Sequence, residues 1–133
     1  MKKMLTLMLL LFATAALAQE DPIAQQLFPP ELIMAQSQKL HLDDKQRTTI
    51  KSEVQRAQSK FFDLQWELKE ASDTMVQLLQ QTPVDEARVL EQADKVMGYE
   101  HDIKKIQLTL LIRIKNALTP EQIAQLKQLR PAK

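Results

Sequence analysis

The feature that most constrains this chain is a regular spacing of apolar residues between positions 50 and 78. An average repeat of 3.5 residues keeps apolar side chains on one side of an α-helix and directs them toward a second helix. The spacing therefore predicts one long helix over residues 43–80. Its apolar positions, spaced alternately by four and three residues, are Ile50, Val54, Ala57, Phe61, Leu64, Leu68, Ala71, Met75 and Leu78.

Two short segments carry the signals of helix starts. In each, a side-chain oxygen can cap the first turn, and a glutamine three positions later can reach back to the backbone amide of the cap, which is a capping box. The boxes are Leu42-Asp43-Asp44-Lys45-Gln46 and Leu118-Thr119-Pro120-Glu121-Gln122, with Asp43 and Thr119 as caps. The first box begins the long helix, and the second predicts a last helix that ends near residue 130.

A second long helix is predicted over residues 83–117, with Thr82 as its cap and Pro83 at its first position. The two residues Gln81 and Thr82 are too short a connection for anything but an antiparallel hairpin of the two long helices. A short helix from Glu31 to about Leu40 completes an all-α, four-helix fold. The apolar stripe of the second long helix is Leu90, Ala93, Met97, Ile103, Ile106, Leu110, Ile114 and Ala117.

The first residues have the pattern of a secretory signal peptide. Lys2 and Lys3 precede an apolar run from position 4 to 12, and Ala16-Leu17-Ala18 follows as a small-residue cleavage site. We expect residues 1–18 to be removed, although an uncleaved N-terminal anchor would look similar. Residues 19–30 then form a flexible leader, and residues 31–130 form a single helical-hairpin domain.

Composition excludes several classes of function. Two of the 18 basic residues lie in the signal peptide, which leaves 16 against 17 acidic residues and no excess of positive charge for nucleic acid. With one glycine the chain cannot form a Gly-rich phosphate loop, and with no cysteine it has no disulfide framework. No nucleophile with a matching base is evident, so we expect neither an enzyme nor a resident cofactor.

Several large apolar residues lie outside the two apolar stripes. The short helices cannot cover all of this surface, so we expect a second subunit or a client protein to cover it. Phe62 and Trp66 are one helical turn apart and form either a second core layer, a dimer contact, or an exposed strip for partly unfolded clients. The candidate surface comprises Phe62, Trp66, Val76, Leu108, Leu111 and Ile112.

A weak transition-metal site is a second candidate. Met97 and His101 are spaced i, i+4 on one helix, and Asp63 is expected at a similar level on the other. The hairpin separates His41 from His101 by about 33 Å, so the two histidines cannot share an ion within one subunit. The alternative is that these polar side chains are simply solvated.

The two capping boxes resemble the Leu-Thr-x-x-Gln repeats of the periplasmic Spy and CpxP proteins. The second box matches fully, and the first has Asp in place of Thr, which caps equally well. The segments Phe28-Pro29-Pro30-Glu31-Leu32 and Arg113-Ile114-Lys115-Asn116-Ala117 are more similar to the periplasmic heavy-metal sensors and resistance proteins of this superfamily. The resemblance covers residues 22–130.

This resemblance implies a hairpin-based four-helix fold that dimerises into a curved cradle in a Gram-negative periplasm. It implies an envelope-stress or metal-stress protein that binds unfolded or misfolded proteins as an ATP-independent chaperone. The alternative is a heavy-metal sensor or resistance protein that signals to a membrane-bound regulator. Both functions would use the same exposed helical surfaces.

Overall fold

A computed structural model describes residues 21–130. The predicted signal peptide, residues 1–18, and the first two residues of the leader lie outside this range. Within it the structure contains no β-strand, and the prediction of an all-α fold built on a long helical hairpin is confirmed. The helices are α1, a single turn at Pro22–Gln25, α2 at Pro30–Ala35, α3 at Asp44–Leu79, α4 at Glu86–Asn116 and α5 at Pro120–Leu129.

Helix α3 begins at the first capping box, as predicted. The Asp43 carboxylate accepts a hydrogen bond from the Gln46 amide at 2.7 Å, and the Gln46 side chain accepts from the Asp43 amide at 3.1 Å. The 36 residues of α3 extend about 54 Å. Every residue of the predicted apolar repeat between Ile50 and Leu78 is buried or half-buried, so the repeat is the side of α3 that packs on α4.

Helix α4 begins three residues later than predicted. Its cap is Asp85, whose carboxylate accepts from the Arg88 amide at 3.2 Å, and not Thr82. The connection between the long helices is therefore the six-residue segment 80–85 and not a two-residue turn. The hairpin itself is antiparallel, because α3 and α4 pack along their length.

The predicted apolar stripe of α4 is wrong at Leu90 and Met97 in its first half, whereas Ala93 is half-buried as predicted. Leu90 is 59% exposed and Met97 is 55% exposed, so neither packs on α3. Gln92 is instead buried, and its side-chain amide donates to the Ala71 carbonyl at 2.8 Å. The residues of α4 that are buried or half-buried against α3 are Val89, Gln92, Ala93, Val96, Tyr99, Ile103, Ile106, Leu110 and Ile114.

The hydrophobic core lies at the open end of the hairpin, which is the end opposite the connecting segment 80–85. There α2 and α5 cover the first turns of α3 and the last turns of α4. Toward the closed end, near segment 80–85, only α3 and α4 pack together. Each helix there buries only the side that faces the other helix. None of the helices within residues 21–130 is long and apolar enough to cross a lipid bilayer. The core residues are Phe28, Ile33, Leu40, Leu42, Ile50, Ile114, Leu118 and Leu126.

The last residues of the predicted leader belong to this core region. Phe28 is 1% exposed, and the guanidinium of Arg130 lies 5.0 Å from the centre of its ring. Arg130 also donates to the carbonyls of Gln25 and Leu27, and the Lys115 ammonium donates to the Gln26 carbonyl at 2.7 Å. The helix predicted from Glu31 to Leu40 ends earlier, at Ala35, and residues 36–41 form turns.

Candidate functional site

The predicted apolar surface is largely exposed in the monomer. On α3, Phe62, Trp66 and Val76 are each more than half exposed, and we call these three residues the apolar strip. On α4, Leu108 and Ile112 are exposed, whereas Leu111 is half-buried and only partly available. Single exposed apolar residues are common, but a row of large ones along one helix is typical of a surface that another molecule covers.

Phe62 and Trp66 form a defined pair. Their ring centres are 6.3 Å apart with the planes at 77°, which is an edge-to-face contact. One turn beyond them, the Lys69 ammonium bonds to the Asp73 carboxylate at 2.8 Å, and this bond raises the pKa of Lys69. The ion pair separates the two aromatic rings from Val76, so the apolar strip is interrupted by a pair of opposite charges.

The exposed apolar surface extends farther than the sequence analysis indicated. Leu79, Val84 and Leu90 lie near the closed end of the hairpin and are each about half exposed. Leu90 was assigned to the apolar stripe of α4, and the corrected phase of that helix turns it outward. The sequence signal that would have found it is the spacing of Val89, Val96 and Tyr99, which are half-buried and continue the repeat of Ile103 and Ile106 toward the start of α4.

A charged cleft of about 480 Å³ lies between α3 and α4. Ala57, Leu64, Ile106 and Leu110 contribute apolar side chains to it. Its charged residues are the cations Arg56, Lys60, Lys105 and Arg113 and the acids Glu53, Asp63 and Asp102.

Hydrogen bonds across the hairpin fix the level at which residues of α3 and α4 meet. Arg113 bonds to the Glu53 carboxylate at 3.1 Å, and the Tyr99 hydroxyl donates to the Glu67 carboxylate at 3.2 Å. The bond and the negative charge of Glu67 raise the pKa of the Tyr99 phenol. Asp63 and Asp102 lie between these two contacts and line the same cleft.

The candidate metal ligands are not brought into one site. Asp63 lines the charged cleft, but Met97 and His101 do not. Met97 and His101 are exposed on α4 and can supply two donors from neighbouring turns. In the part of the chain that the structure describes, no group of three or more His, Asp or Glu residues has the arrangement of a metal site.

The glutamines of the two capping boxes form one hydrogen-bonded cluster. The Gln46 amide nitrogen donates to the Gln122 side-chain oxygen at 2.7 Å and to the Ala117 carbonyl at 3.0 Å. The Gln122 amide nitrogen donates to the Leu40 carbonyl at 3.0 Å and lies 3.2 Å from the Gln46 oxygen. Each box therefore caps its own helix and ties it to the start of the other, while Leu42 and Leu118 are buried in the core.

The family comparison agrees with this architecture. A family model described as heavy-metal resistance (Metal_resist) matches residues 4–125, which include both capping boxes and the whole hairpin. No curated protein and no solved structure matches the chain. With a match over most of its length, the chain belongs to the heavy-metal-resistance family, part of the Spy/CpxP-like helical superfamily.

Proposed function

We propose that this protein acts in heavy-metal resistance in the periplasm, as a sensor that signals metal stress to a membrane-bound regulator. The observation that carries the proposal is the family match over residues 4–125. The predicted signal peptide supports the compartment. The contact with the regulator is assigned to the apolar strip, because its three large side chains are free in the monomer.

Removal of the gene tests this proposal. The deletion strain should lose tolerance to at least one of nickel, cobalt, copper and zinc, and the full-length gene should restore it. A gene with Phe62→Ala and Trp66→Ala should fail to restore tolerance, because the contact with the regulator is lost. Unchanged tolerance to all four metals in the deletion strain would contradict the proposal.

The role of the metal itself is tested with the two histidines of the chain. Met97 and His101 provide at most two donors from α4, so we expect weak binding in a calorimetric titration. His101→Ala should abolish this binding, and His41→Ala, in the turns before α3, is the matched control. Sub-micromolar affinity that His101→Ala removes would show a complete metal site and make the protein a direct metal sensor.

A second candidate function is that of a holding chaperone for partly unfolded proteins. The specific observation in its favour is the apolar strip with the Lys69–Asp73 ion pair, since apolar and charged groups side by side permit reversible binding. No nucleotide is needed, because the client leaves the surface as its own apolar residues become buried. The same surface serves both candidates, so an assay with a client separates them.

Aggregation of a reduced model protein provides that assay. If the chaperone function holds, near-stoichiometric protein suppresses aggregation, and Phe62→Ala with Trp66→Ala removes the suppression. The control is Ile23→Ala with Met34→Ala, which removes two apolar side chains of α1 and α2 that are more exposed than Phe62 and Trp66. Full suppression by the Phe62/Trp66 variant, or no suppression by the wild type, would exclude a chaperone function of the apolar strip. The sensor function would then be the remaining candidate.

A further inference from the structure

The charged cleft contains four charged side chains that have no ion-pair partner. Lys60 and Asp63 on α3 and Asp102 and Lys105 on α4 line it, and none of the four lies within ion-pair distance of an opposite charge in residues 21–130. The other two cations, Arg56 and Arg113, both contact Glu53, at 3.7 and 3.1 Å.

The antiparallel register places like charges opposite one another. Lys60 lies seven residues after Glu53 and Lys105 eight residues before Arg113, so the two lysines are at nearly the same level. Asp63 lies four residues before Glu67 and Asp102 three residues after Tyr99, so the two aspartates also share a level. Like charges at one level repel, and within residues 21–130 neither pair has an ion-pair contact across the cleft.

The cleft therefore has two levels along the hairpin, a positive one formed by Lys60 and Lys105 and a negative one formed by Asp63 and Asp102. They are three residues apart along α3, which is about 4.5 Å. Arg56 and Arg113 add positive charge on the far side of the lysine level. Leu64, Ile106 and Leu110 also line the cleft and offer an apolar surface. The volume of about 480 Å³ falls in the range of small-molecule sites, about 300–1,000 Å³.

We propose that this cleft binds a zwitterion of the phosphoethanolamine type. The phosphate lies between Lys60 and Lys105, and the ammonium group lies between Asp63 and Asp102. A two-carbon spacer between phosphate ester and amine matches the separation of the two levels, whereas the charges of an α-amino acid are too close together. The ligand neutralises both like-charge pairs at once, which a simple anion or a simple cation cannot do.

Titration of the full chain with two soluble probes tests the charge pattern. Glycerophosphoethanolamine should bind about tenfold more tightly than glycerol phosphate, which has the same phosphate but no ammonium group. Asp63→Asn with Asp102→Asn should remove this preference and keep phosphate binding. Lys60→Gln with Lys105→Gln should weaken binding of both probes. All four positions are exposed, so the variants should keep the helical content of the wild type.

The matched control is Lys104→Gln with Lys127→Gln, two exposed lysines that do not line the cleft. This variant should bind both probes as the wild type does. Equal affinity for the two probes, or an equal loss in the control, would overturn the proposal. In that case Lys60 and Lys105 pair with their own neighbouring aspartates in solution.

Vesicles distinguish a lipid headgroup from a free compound. Flotation with phosphatidylglycerol vesicles that contain phosphatidylethanolamine is compared with flotation with pure phosphatidylglycerol vesicles, whose headgroup has a phosphate and no ammonium group. Binding that requires phosphatidylethanolamine and is lost in the Lys60/Lys105 variant supports the proposal and identifies a lipid headgroup. Binding of the soluble probe without vesicle binding supports it and identifies a free ligand. Binding of neither overturns it.

Discussion

At the scale of single residues, Gln92 decides how α4 faces α3. It is 8% exposed, and its amide reaches the carbonyl of the small residue Ala71. That carbonyl lies within α3 and already accepts the helical bond from four residues later, so the contact with Gln92 is additional. A buried polar group in a helix interface favours one register over others, because a shifted register leaves it without a partner.

Substitutions of Gln92 test whether its hydrogen bond to Ala71 sets only the register of the two helices or also stabilises the hairpin. Gln92→Leu removes a buried polar group and leaves no orphan acceptor, so we expect the free energy of unfolding to rise by about 1 kcal/mol. Gln92→Ala removes both the bond and the packing and should lower it by about 1 kcal/mol. Urea denaturation measures both. A large loss of stability in Gln92→Leu would show that the bond to Ala71 is a main source of hairpin stability.

At the scale of elements, the Gln46–Gln122 cluster couples the starts of α3 and α5. The two boxes are 76 positions apart in sequence, yet each glutamine bonds to the other and to backbone beside the other box. Caps act locally on one helix, but a shared cap makes the formation of two helices cooperative. The cluster lies over the core, next to Leu42 and Leu118.

A double-mutant cycle measures this coupling. Gln122 is buried, so Gln122→Ala should cost about 2 kcal/mol, while the half-buried Gln46→Ala should cost about 1 kcal/mol. The double variant should lose less than the sum, by about 1 kcal/mol, because either single change already breaks the shared bond. Gln58→Ala, at an exposed position of α3, is the control. Strict additivity would mean that each box caps only its own helix.

The two long helices show what sequence alone can and cannot predict. The start of α3 and its buried side follow from the local sequence. The apolar spacing from Ile50 to Leu78 is regular enough that only one side of the helix can face a partner. The first half of α4 does not, because its buried position is filled by Gln92 and its exposed ones by Leu90 and Met97. Only the position of Ala71 on the partner helix makes Gln92 a buried residue. The same limit applies to the charged cleft, whose like-charge pairs depend on the hairpin register.

Gly98, in the interior of α4, tests whether the helix needs a break there. A β-carbon built at this position meets no atom within 4 Å, so no close approach of another segment requires glycine. Gly98→Ala should raise the free energy of unfolding by about 1 kcal/mol. Gln107→Gly, at an exposed position of the same helix, should lower it. A loss of stability in Gly98→Ala would indicate that α4 bends at this residue.

At the scale of the whole molecule, stability and binding surface are separated along the hairpin. The core, the paired glutamines and the contacts of Arg130 with residues 25–28 all lie at the open end. The apolar strip and the exposed residues near the closed end lie where only two helices pack. Changes in the apolar strip should therefore alter binding with little effect on folding, which is the condition under which the Phe62/Trp66 variant is informative.

The single tryptophan of the chain allows this surface to be observed directly. Trp66 is 55% exposed in the monomer, so its fluorescence should have the long-wavelength maximum of an indole in water at any protein concentration. If the holding-chaperone function holds, addition of a reduced, partly unfolded model protein should shift the emission to shorter wavelength and protect it from acrylamide. The shift should be lost in Phe62→Asp, which places a charge beside the ring, and retained in Met34→Asp. A shift that occurs with protein concentration alone would mean that a second copy of the chain covers the apolar strip, and the contact assigned to a regulator or client would then be a dimer interface.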